Sequence, residues 1–271
     1  MKKFMTVILS AALALSTAAS AYSQDKAIEN PYNQTIHCPI LTYHDVTTDI
    51  NKITDWTVTS EKFENDIKTL LENNYTPIFT KDLQAGIEGR EQLPDNPVIL
   101  QFDDGYSSLY ELAFPILHKY GVKAEVYIIT DYTKDVPYEH SNNKFLSWPQ
   151  LKLMEDSGLV CVGLHGKSHE AVVNGFSDEK IKSDFSAAWE EIQNNLGDHP
   201  KYYVYPNGLF NANTLRSIKE AGADIQFIWV WNLSNAVKQY NVQPRTNVGG
   251  TTDILTAVSN YTDVLKVKLK H

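Results

Sequence analysis

The amino-acid sequence predicts a single α/β domain, a closed TIM-like barrel of seven or eight strand-helix units, with an open doubly wound sheet as the alternative. Two observations lead to this prediction. Short apolar runs alternate with amphipathic stretches along nearly the whole chain, and such alternation implies parallel strands with helices outside. No linker or internal repeat divides the 271 residues, a length that suits one large domain. In either architecture the site belongs at the carboxyl ends of the strands.

Composition narrows the class of protein. The chain is 42% hydrophobic and 21% charged, which is typical of a globular protein and excludes wholesale disorder. The 24 basic and 33 acidic residues give a formal net charge of -9, which argues against binding to nucleic acid or to an anionic membrane surface. We therefore expect no nucleic-acid partner, and we expect a monomer.

The N-terminus has the pattern of a secretory signal. Two lysines precede an apolar stretch at residues 5–15, and a small-residue Ala-Ser-Ala pattern follows. We expect a signal peptide over residues 1–21 that is cleaved after Ala21, with an uncleaved anchor helix as the alternative. A polar tail over residues 22–37 then precedes a domain over residues 38–271. No later apolar run approaches about 18 residues, so we expect an exported protein, periplasmic or secreted, without a membrane span in its mature form.

Seven strands are predicted from short apolar runs, at residues 38–43, 97–102, 123–129, 159–164, 202–205, 225–230 and 242–248. Helices are predicted at residues 60–74, 107–120, 148–158, 178–196 and 211–221. The first of these helices repeats apolar residues at positions 63, 67, 70 and 71, which is one face of an amphipathic helix. Pro115 should interrupt the second helix. The Ser-x-x-Gln pattern at residues 147–150 predicts a capping box, and Gly222 should close the last helix.

Polar residues follow five of the predicted strands and could converge on one pocket. They are His44-Asp45, Asp103-Asp104-Gly105, His165 with His169, Pro206-Asn207-Gly208 and Pro244-Arg245. Adjacent carboxylates at the end of an apolar strand repel each other, and a cation beside Asp103 and Asp104 would relieve that repulsion. A plain turn is the alternative interpretation.

His165 and His169 are four residues apart. If the segment between them is one helical turn, both imidazoles face the same way and could bind one metal ion, although such spacing also arises by chance. Two histidines and a carboxylate from another strand leave a position open for water or substrate, as in a catalytic site. Zinc is the divalent metal that we expect, and cobalt, nickel or iron would accept the same ligands.

Several segments resemble, in order, those of the polysaccharide deacetylase family, also called the NodB-homology or carbohydrate esterase family 4 domain. These segments are CPILTYHDV, EKFENDIKTLLENNY, VILQFDDGY, FPILHKYGVKAEVYII, LSWPQLKLMEDSGL, HGKSH and YPNGLFN. The resemblance covers roughly residues 38–250. The pair Tyr43-His44 at the first strand is similar to the exported branch that removes N-acetyl groups from poly-β-1,6-N-acetylglucosamine. The resemblance implies a distorted (β/α)7 barrel, a divalent metal and an acetylated polysaccharide as substrate.

The resemblance also implies a role for each site residue. Asp103 matches the general base that activates a metal-bound water. Asp104, His165 and His169 match the three metal ligands. The backbone N–H of Asn207 matches a donor to the oxyanion, a group that is stabilised by such donors when they are aimed in advance.

His44 matches the general acid of the exported branch, which protonates the leaving amine. Most other family members take this acid from a Leu-x-x-His near the C-terminus, and this chain has none after His199, where the only further histidine is His271. The missing motif favours a catalytic role for His44. The alternative is that His44 caps the strand end or bonds Asp45.

The sequence departs from the family pattern at three places. Gln101 stands where Thr is usual, and Asn207 stands where an aromatic residue is usual. The arginine that many members carry just before the Pro206-Asn207 segment is missing from Tyr203-Val204-Tyr205. We expect Arg245 to serve in its place by orienting Asp103 through a charge-assisted hydrogen bond, with a salt bridge at the rim as the alternative.

Residues outside these motifs are interpreted more simply. Trp148, Trp189, Trp229 and Trp231 are expected in the core rather than as sugar platforms. Tyr106 is expected to line the cleft, and residues 131–145 are expected to form a loop at its mouth. Cys38 and Cys161 are interpreted as buried thiols, with a single disulfide left open.

Taken with the resemblance, the sequence predicts a metal-dependent hydrolase that removes acetyl groups from an extracytoplasmic polysaccharide, chiefly N-acetyl groups of N-acetylglucosamine. A peptidoglycan or chitin-oligomer deacetylase and an acetylxylan O-esterase are the enzyme alternatives. A carbohydrate-binding protein on an inactive deacetylase scaffold is the alternative outside the enzymes.

Overall fold

The computed structural model describes residues 34–35, 37–172, 175–229, 242–261 and 266–267. The predicted signal peptide, most of the predicted tail and Trp231 lie outside these residues. Among the described helices, none combines the length and the apolar character that crossing a bilayer would require.

Parallel strands form the central sheet. In the described part of the chain they are β1 (Ile40–Tyr43), β2 (Pro97–Phe102), β3 (Ala124–Ile128), β4 (Val160–Leu164), β5 (Tyr202–Val204), β6 (Ile225–Ile228), β7 (Val242–Pro244) and β8 (Thr246–Asn247). Hydrogen-bonded neighbours follow the order β7-β6-β5-β4-β3-β2-β1-β8, and every pair in that order is parallel. A short strand, Thr76–Pro77, pairs in parallel with the start of β2.

One extended segment brings the two ends of this sheet together. Strands β7 and β8 are separated only by Arg245; β7 pairs with β6, and β8 pairs with β1. The N–H of Arg245 still donates to the carbonyl of Ile228 at 3.1 Å, whereas the N–H of Val248 donates to that of Thr42 at 2.8 Å. Counted as one strand, this segment completes a nearly closed barrel of seven strands. The predicted distorted (β/α)7 barrel is confirmed, and the open doubly wound sheet is wrong.

Helices surround the barrel. The described α-helices are α1 (Ser60–Glu72), α2 (Thr80–Ile87), α3 (Phe114–Tyr120), α4 (Trp148–Asp156), α5 (Asp178–Leu196), α6 (Ala212–Glu220) and α7 (Ile254–Ser259). The predicted bounds of α5 are correct, and α1 ends two residues before its predicted end. The predicted break near Pro115 is confirmed, because a π-helical turn at Leu109–Ala113 precedes α3. The predicted capping box is present, since Gln150 Oε1 accepts from the N–H of Ser147 at 2.9 Å.

Alternating side chains along the strands divide the core into two layers. Outward residues such as Leu41, Leu100 and Val126 pack with the helices. Inward residues such as Ile99 and Phe227 fill the barrel. Successive side chains of a strand point to opposite faces. This alternation continues past the strand ends, so every second residue there points into the barrel mouth, and some of these residues are polar.

Shorter elements surround that mouth. The segments Asp45–Thr47 and Thr57–Thr59 pair in parallel after β1. Residues 131–145 are not a plain loop as expected, because Tyr138–His140 and Asn143–Phe145 form an antiparallel hairpin. Away from the mouth, Gln34–Thr35 and Lys266–Val267 also pair in antiparallel fashion.

Both cysteines lie in the interior of the fold. Cys38 and Cys161 are each 5% exposed, and no disulfide joins them. Burial raises the pKa of the Cys161 thiol to about 12. A neutral thiol of this kind packs as a small apolar side chain.

Candidate active site

The turn that follows β2 separates two adjacent carboxylates. The N–H of Asp103 donates to the carbonyl of Tyr43 at 3.0 Å, and the carbonyl of Asp103 accepts from the N–H of Gly105 at 2.9 Å. Asp104 and Gly105 have φ angles of 68° and 76°, a left-handed conformation that glycine adopts freely and aspartate tolerates better than most residues. The turn therefore directs Asp103 and Asp104 to different partners.

Asp103 is held by a buried arginine. Arg245 Nη1 lies 2.7 Å from Asp103 Oδ1, and Arg245 Nη2 lies 2.8 Å from Asp103 Oδ2. The two side chains are 0% and 1% exposed, so Arg245 does not form a salt bridge at the rim. Burial alone would raise the pKa of Asp103, but Arg245 and then His165 outweigh it, and the pKa lies below its usual value. Asp103 is therefore an ionised carboxylate.

Asp104 faces two imidazoles instead. His165 Nε2 and His169 Nε2 each lie 3.3 Å from Asp104 Oδ1, and one donor atom from each of the three residues lies within 4.8 Å of the others. The imidazole rings are 5.0 Å apart. The helical turn considered for this segment is absent, because residues 165–170 are irregular and His169 has a φ angle of 63°. The loop rather than a helix brings the two side chains together.

The hydrogen bonding of His165 fixes which nitrogen faces Asp104. His165 Nδ1 lies 3.1 Å from the carbonyl oxygen of Val204, and a carbonyl oxygen can only accept. In the neutral imidazole, Nδ1 therefore carries the proton and Nε2 presents its lone pair to Asp104. An outer hydrogen bond of this kind is the usual support of a metal-ligating histidine.

The three residues fit a divalent cation. Asp104 Oδ1 is buried and has no hydrogen-bond partner among the described residues. Burial would raise the pKa of Asp104, but the neighbouring imidazoles of His165 and His169 outweigh it and lower the pKa. Burial would lower the pKa of His165, yet Asp103 and Asp104 raise it. One carboxylate oxygen and two imidazole nitrogens are a donor set that zinc accepts, as do cobalt, nickel and iron.

His44 lies on the other side of Asp103. Its Nε2 is 3.9 Å from Asp103 Oδ2, which is too long for a hydrogen bond. Its Nδ1 is buried without a hydrogen-bond partner among the described residues. Asp45 accepts from Ser108 Oγ at 2.7 Å, so the carboxylate next to His44 in the chain is engaged elsewhere. Burial lowers the pKa of His44, and the charges of Asp103 and Asp104 oppose this shift.

A cleft of about 680 Å³ joins these groups. Trp56 and Trp229 form one wall, with ring centroids 4.7 Å and 6.0 Å from that of His44. The guanidinium carbon of Arg245 lies 5.0 Å over the Trp229 ring. Trp229 was expected in the core, and this expectation is wrong because the strand parity of β6 brings its side chain to the mouth. Trp148 and Trp189 are core residues as predicted.

Trp56 is the wall residue that the sequence analysis missed. Its side chain is 53% exposed, and its ring meets the Trp229 ring edge-on at 5.8 Å. Its carbonyl accepts from the N–H of Asp45 at 3.0 Å, which ties the loop to the end of β1. A tryptophan within a polar stretch, TDWT, was the available signal, because a large aromatic residue there has no core face to join.

Tyr106, Asn143 and Asn207 also line the cleft. Tyr106 lines the cleft as predicted, and its ring lies 5.3 Å from that of Phe145 on the hairpin. Burial and then Asp104 raise the pKa of Tyr106, so its hydroxyl keeps its proton. Asn207 follows the buried Pro206 and has a φ angle of 57°.

Backbone strain is concentrated at this site. Among the non-glycine residues that the structure describes, positive φ angles occur at Asp104, His169 and Asn207, and elsewhere at three residues in turns, Asn74, Ser141 and Asn142. Each such residue costs about 1–3 kcal/mol unless the surroundings compensate. Three strained residues around one cleft indicate that the positions of their side chains and N–H groups matter for function.

Comparison with known proteins identifies the family. Residues 90–225, half of the chain, match the family model described as Polysaccharide deacetylase. The chain therefore belongs to the polysaccharide deacetylase family, and the resemblance found in the sequence is confirmed.

Individual relatives agree with this assignment. The chain is 27% identical over 183 residues to a poly-β-1,6-N-acetyl-D-glucosamine N-deacetylase of Staphylococcus aureus, a match that covers 65% of this chain and 62% of that protein. Curated relatives such as this one are thus matched over less than two thirds of their own length.

Two solved structures share the fold. The deacetylase PplD of Streptococcus pyogenes superposes with a TM-score of 0.73 at 19% identity, covering 84% of this chain and 99% of that one. IcaB of Ammonifex degensii superposes with a TM-score of 0.71 at 22% identity, covering 84% and 98%.

Proposed function

We propose that the protein is a metal-dependent hydrolase that removes N-acetyl groups from N-acetylglucosamine residues of an extracytoplasmic polysaccharide. The observation that carries this proposal is the convergence of two arrangements in one cleft. One is the cluster of Asp104, His165 and His169, and the other is the buried pair of Asp103 and Arg245. A cation site beside an ionised carboxylate suits the metal-assisted hydrolysis of an unactivated amide.

Asp104, His165 and His169 are the residues that would hold the cation. Bound there, a divalent cation would supply Lewis acidity to the acetyl carbonyl and to the attacking water. Zinc is the proposed metal because the donor set is one oxygen and two imidazole nitrogens. The orphaned Asp104 Oδ1 is the observation that supports the fit.

Asp103 is proposed as the general base. Its lowered pKa keeps it ionised, and the bidentate contact with Arg245 fixes the plane of its carboxylate. A base must lie ready and aligned before the water arrives, and a locked carboxylate loses little freedom in the transition state.

His44 is proposed as the general acid. Because burial lowers its pKa, His44 is neutral at rest and must gain a proton before it can give one. Asp103 Oδ2 lies 3.9 Å from His44 Nε2, a distance that a small shift on substrate binding would close. The proton that Asp103 takes from water can then pass through His44 to the leaving nitrogen.

Asn207 is proposed to stabilise the oxyanion through its backbone N–H. The N–H groups of the next two residues, Gly208 and Leu209, already donate to the carbonyls of Tyr205 and Pro206. Asn207 itself lines the cleft. A donor that is held in place before the reaction lowers the barrier because it needs no reorganisation.

The proposed substrate is a poly-β-1,6-N-acetylglucosamine-like polymer. The name of the Staphylococcus aureus relative supports this choice, and so does the similarity of the first strand motif to the exported branch. The secretory pattern of residues 1–21 supports an extracytoplasmic location.

Acetate release from a panel of substrates tests this proposal. We expect the purified protein with zinc to release acetate from β-1,6-linked N-acetylglucosamine oligomers faster than from β-1,4-linked oligomers or acetylated xylan. Asp103→Asn, which keeps the size of the side chain, serves as the control for contaminating activity. Release from xylan alone would change the assignment to an esterase. Zinc binding without release from any of these substrates would favour a carbohydrate-binding protein.

His44→Ala tests the role of His44 as the general acid separately from the roles of the other site residues. An amide needs its leaving nitrogen protonated, whereas an activated ester does not. We expect His44→Ala to lower kcat on the oligomer by about 100-fold or more and to lower kcat on 4-nitrophenyl acetate far less. Equal losses on both substrates would contradict the assignment of His44 as the acid.

A further inference from the structure

Two buried polar side chains, Gln101 and Glu125, lie in the barrel directly beneath Asp103 and form what we call the polar ladder. Gln101 precedes Asp103 by two residues on β2, so both side chains point into the barrel. Gln101 is paired in register with Glu125 on the neighbouring strand β3. The two side chains are 0% and 2% exposed. They stand in an interior that is otherwise filled by residues such as Ile99 and Phe227.

Hydrogen bonds connect this ladder to the proposed base. Gln101 Nε2 donates to Glu125 Oε2 at 3.0 Å, and Arg245 Nη1 donates to Gln101 Oε1 at 3.3 Å. The same Arg245 Nη1 donates to Asp103 Oδ1 at 2.7 Å. Gln101 thus joins a carboxylate below it to the guanidinium that holds Asp103.

Glu125 determines which way the amide of Gln101 points. Its oxygens accept from the Thr80 N–H at 2.7 Å, from Thr80 Oγ1 at 2.9 Å and from Tyr127 OH at 2.8 Å, in addition to Gln101. Burial raises the pKa of Glu125 above its usual value, although these donors oppose the shift. Arg245, on the other side of the Gln101 amide, can only donate. The NH2 group of Gln101 must therefore face Glu125, and its carbonyl oxygen must face Arg245.

The barrel interior is shaped around this ladder. A Cβ atom at Gly163 on β4 would lie 2.4 Å from Tyr127 Cε1, so the missing side chain makes room for the ring whose hydroxyl reaches Glu125. Buried polar and charged groups of this kind bring little stability compared with well-packed apolar side chains. Stability alone therefore does not account for a glutamate and a glutamine inside the barrel.

We propose that Gln101 and Glu125 are positioning residues for Asp103, an inference that rests on the proposed role of Asp103 as the base. Glu125 orients the Gln101 amide, and the carbonyl of that amide holds one arm of Arg245. The guanidinium is thereby kept in the plane in which both of its arms reach Asp103. This contact also connects Gln101, a position at which the sequence departs from the family pattern, with Arg245, the residue expected to replace the missing arginine.

Isosteric substitutions test this proposal. Gln101→Met keeps the length of the side chain and removes all three hydrogen bonds of its amide, to Glu125, Tyr127 and Arg245. Glu125→Gln keeps the shape and removes the charge. Gln226→Met is the matched control, because Gln226 is also 0% exposed but bonds Tyr205 and the carbonyl of Leu215, away from the ladder. For each variant we would measure kcat and KM for acetate release, the zinc dissociation constant and the free energy of unfolding.

The positioning role predicts a specific pattern. Gln101→Met and Glu125→Gln should each lower kcat by about 10-fold or more and leave KM and the zinc dissociation constant within about 3-fold. Because both residues act through Arg245, the double variant should lose no more than the worse single variant. Gln226→Met should leave kcat unchanged even where it lowers stability. If Gln101→Met does not fold, Glu125→Gln, with its unaltered shape, gives the same test.

Two results would overturn the inference. One is kcat within 2-fold of the wild type in both ladder variants. The other is a loss of kcat that follows the loss of stability equally in Gln226→Met. Absence of acetate release from the wild-type protein would instead refute the proposed function. In that case a double-mutant cycle on unfolding between Gln101→Met and Arg245→Lys still tests the ladder, because uncoupled sites would add.

Discussion

Replacing Arg245 by leucine should show how much its pair with Asp103 contributes to the free energy of unfolding. The pair has two hydrogen bonds of 2.7 and 2.8 Å and is 0% and 1% exposed, so water cannot replace the guanidinium. His44 lies 3.9 Å from Asp103, but burial lowers its pKa and leaves it neutral. Removing one partner of such a pair costs about 3–5 kcal/mol.

Urea unfolding of the chelated protein at pH 7 measures this cost. With a slope of about 3 kcal/mol/M, the midpoint should fall by about 1–2 M. We choose pH 7 because the folded pKa of Asp103 is lowered. The contribution of the pair to the free energy of unfolding is therefore present above pH of about 4 and is lost as the pH falls through the folded pKa.

A second substitution separates the charge from the packing. Asp103→Asn removes the carboxylate that Arg245→Leu leaves unpaired, so the double variant should recover most of the lost stability. If Arg245→Leu and the double variant were equally unstable, the loss would come from packing, and the proposed role of Arg245 would be wrong.

Two further predictions concern the cleft wall and a distant histidine. Trp56→Ala should raise KM for oligosaccharides about tenfold, equivalent to about 1.4 kcal/mol, with kcat little changed, because the exposed ring offers an apolar face to a sugar. The control is Ile50→Ala in the same loop, which removes a side chain that is 68% exposed and should change neither KM nor kcat. His199 Nε2 lies 2.7 Å from Glu155 Oε1, a hydrogen bond that raises the pKa of His199 against the effect of burial. The loss in free energy of unfolding in His199→Gln should therefore be greatest below pH of about 6.5 and vanish as the pH rises through the folded pKa. Urea unfolding between pH 5 and 9 measures this loss, and a loss that stayed constant over that range would contradict the prediction.

Much of the fold could be predicted from local sequence. Buried parallel strands appear as apolar runs, and the bounds of β2 and α5 were predicted correctly. The short helices α2 and α7 were missed because eight and six residues give too few repeats for a periodic pattern. The switch of partners at Arg245 was missed because it depends on where both ends of the sheet meet.

Part of the candidate site could also be predicted from the sequence. His44, Asp103 and His165 each follow an apolar strand, and the fold places such residues at one end of the barrel. The interpretation of Trp229 failed because it depends on where β6 ends relative to the barrel mouth. The interpretation of the segment after His165 failed because it depends on loop conformation. Trp56 was missed although its polar surroundings were a signal, whereas Glu125 could not be assigned, since its partners Thr80 and Gln101 lie far away in the sequence.

Metal-dependent deacetylation is tested directly by acetate release from a β-1,6-linked N-acetylglucosamine oligomer before chelation, after chelation and after zinc is restored. Release should stop with the chelator and return with zinc, with one free amine formed for each acetate. Release that continues unchanged in the chelated protein, whose loss of metal is verified by elemental analysis, would contradict this prediction.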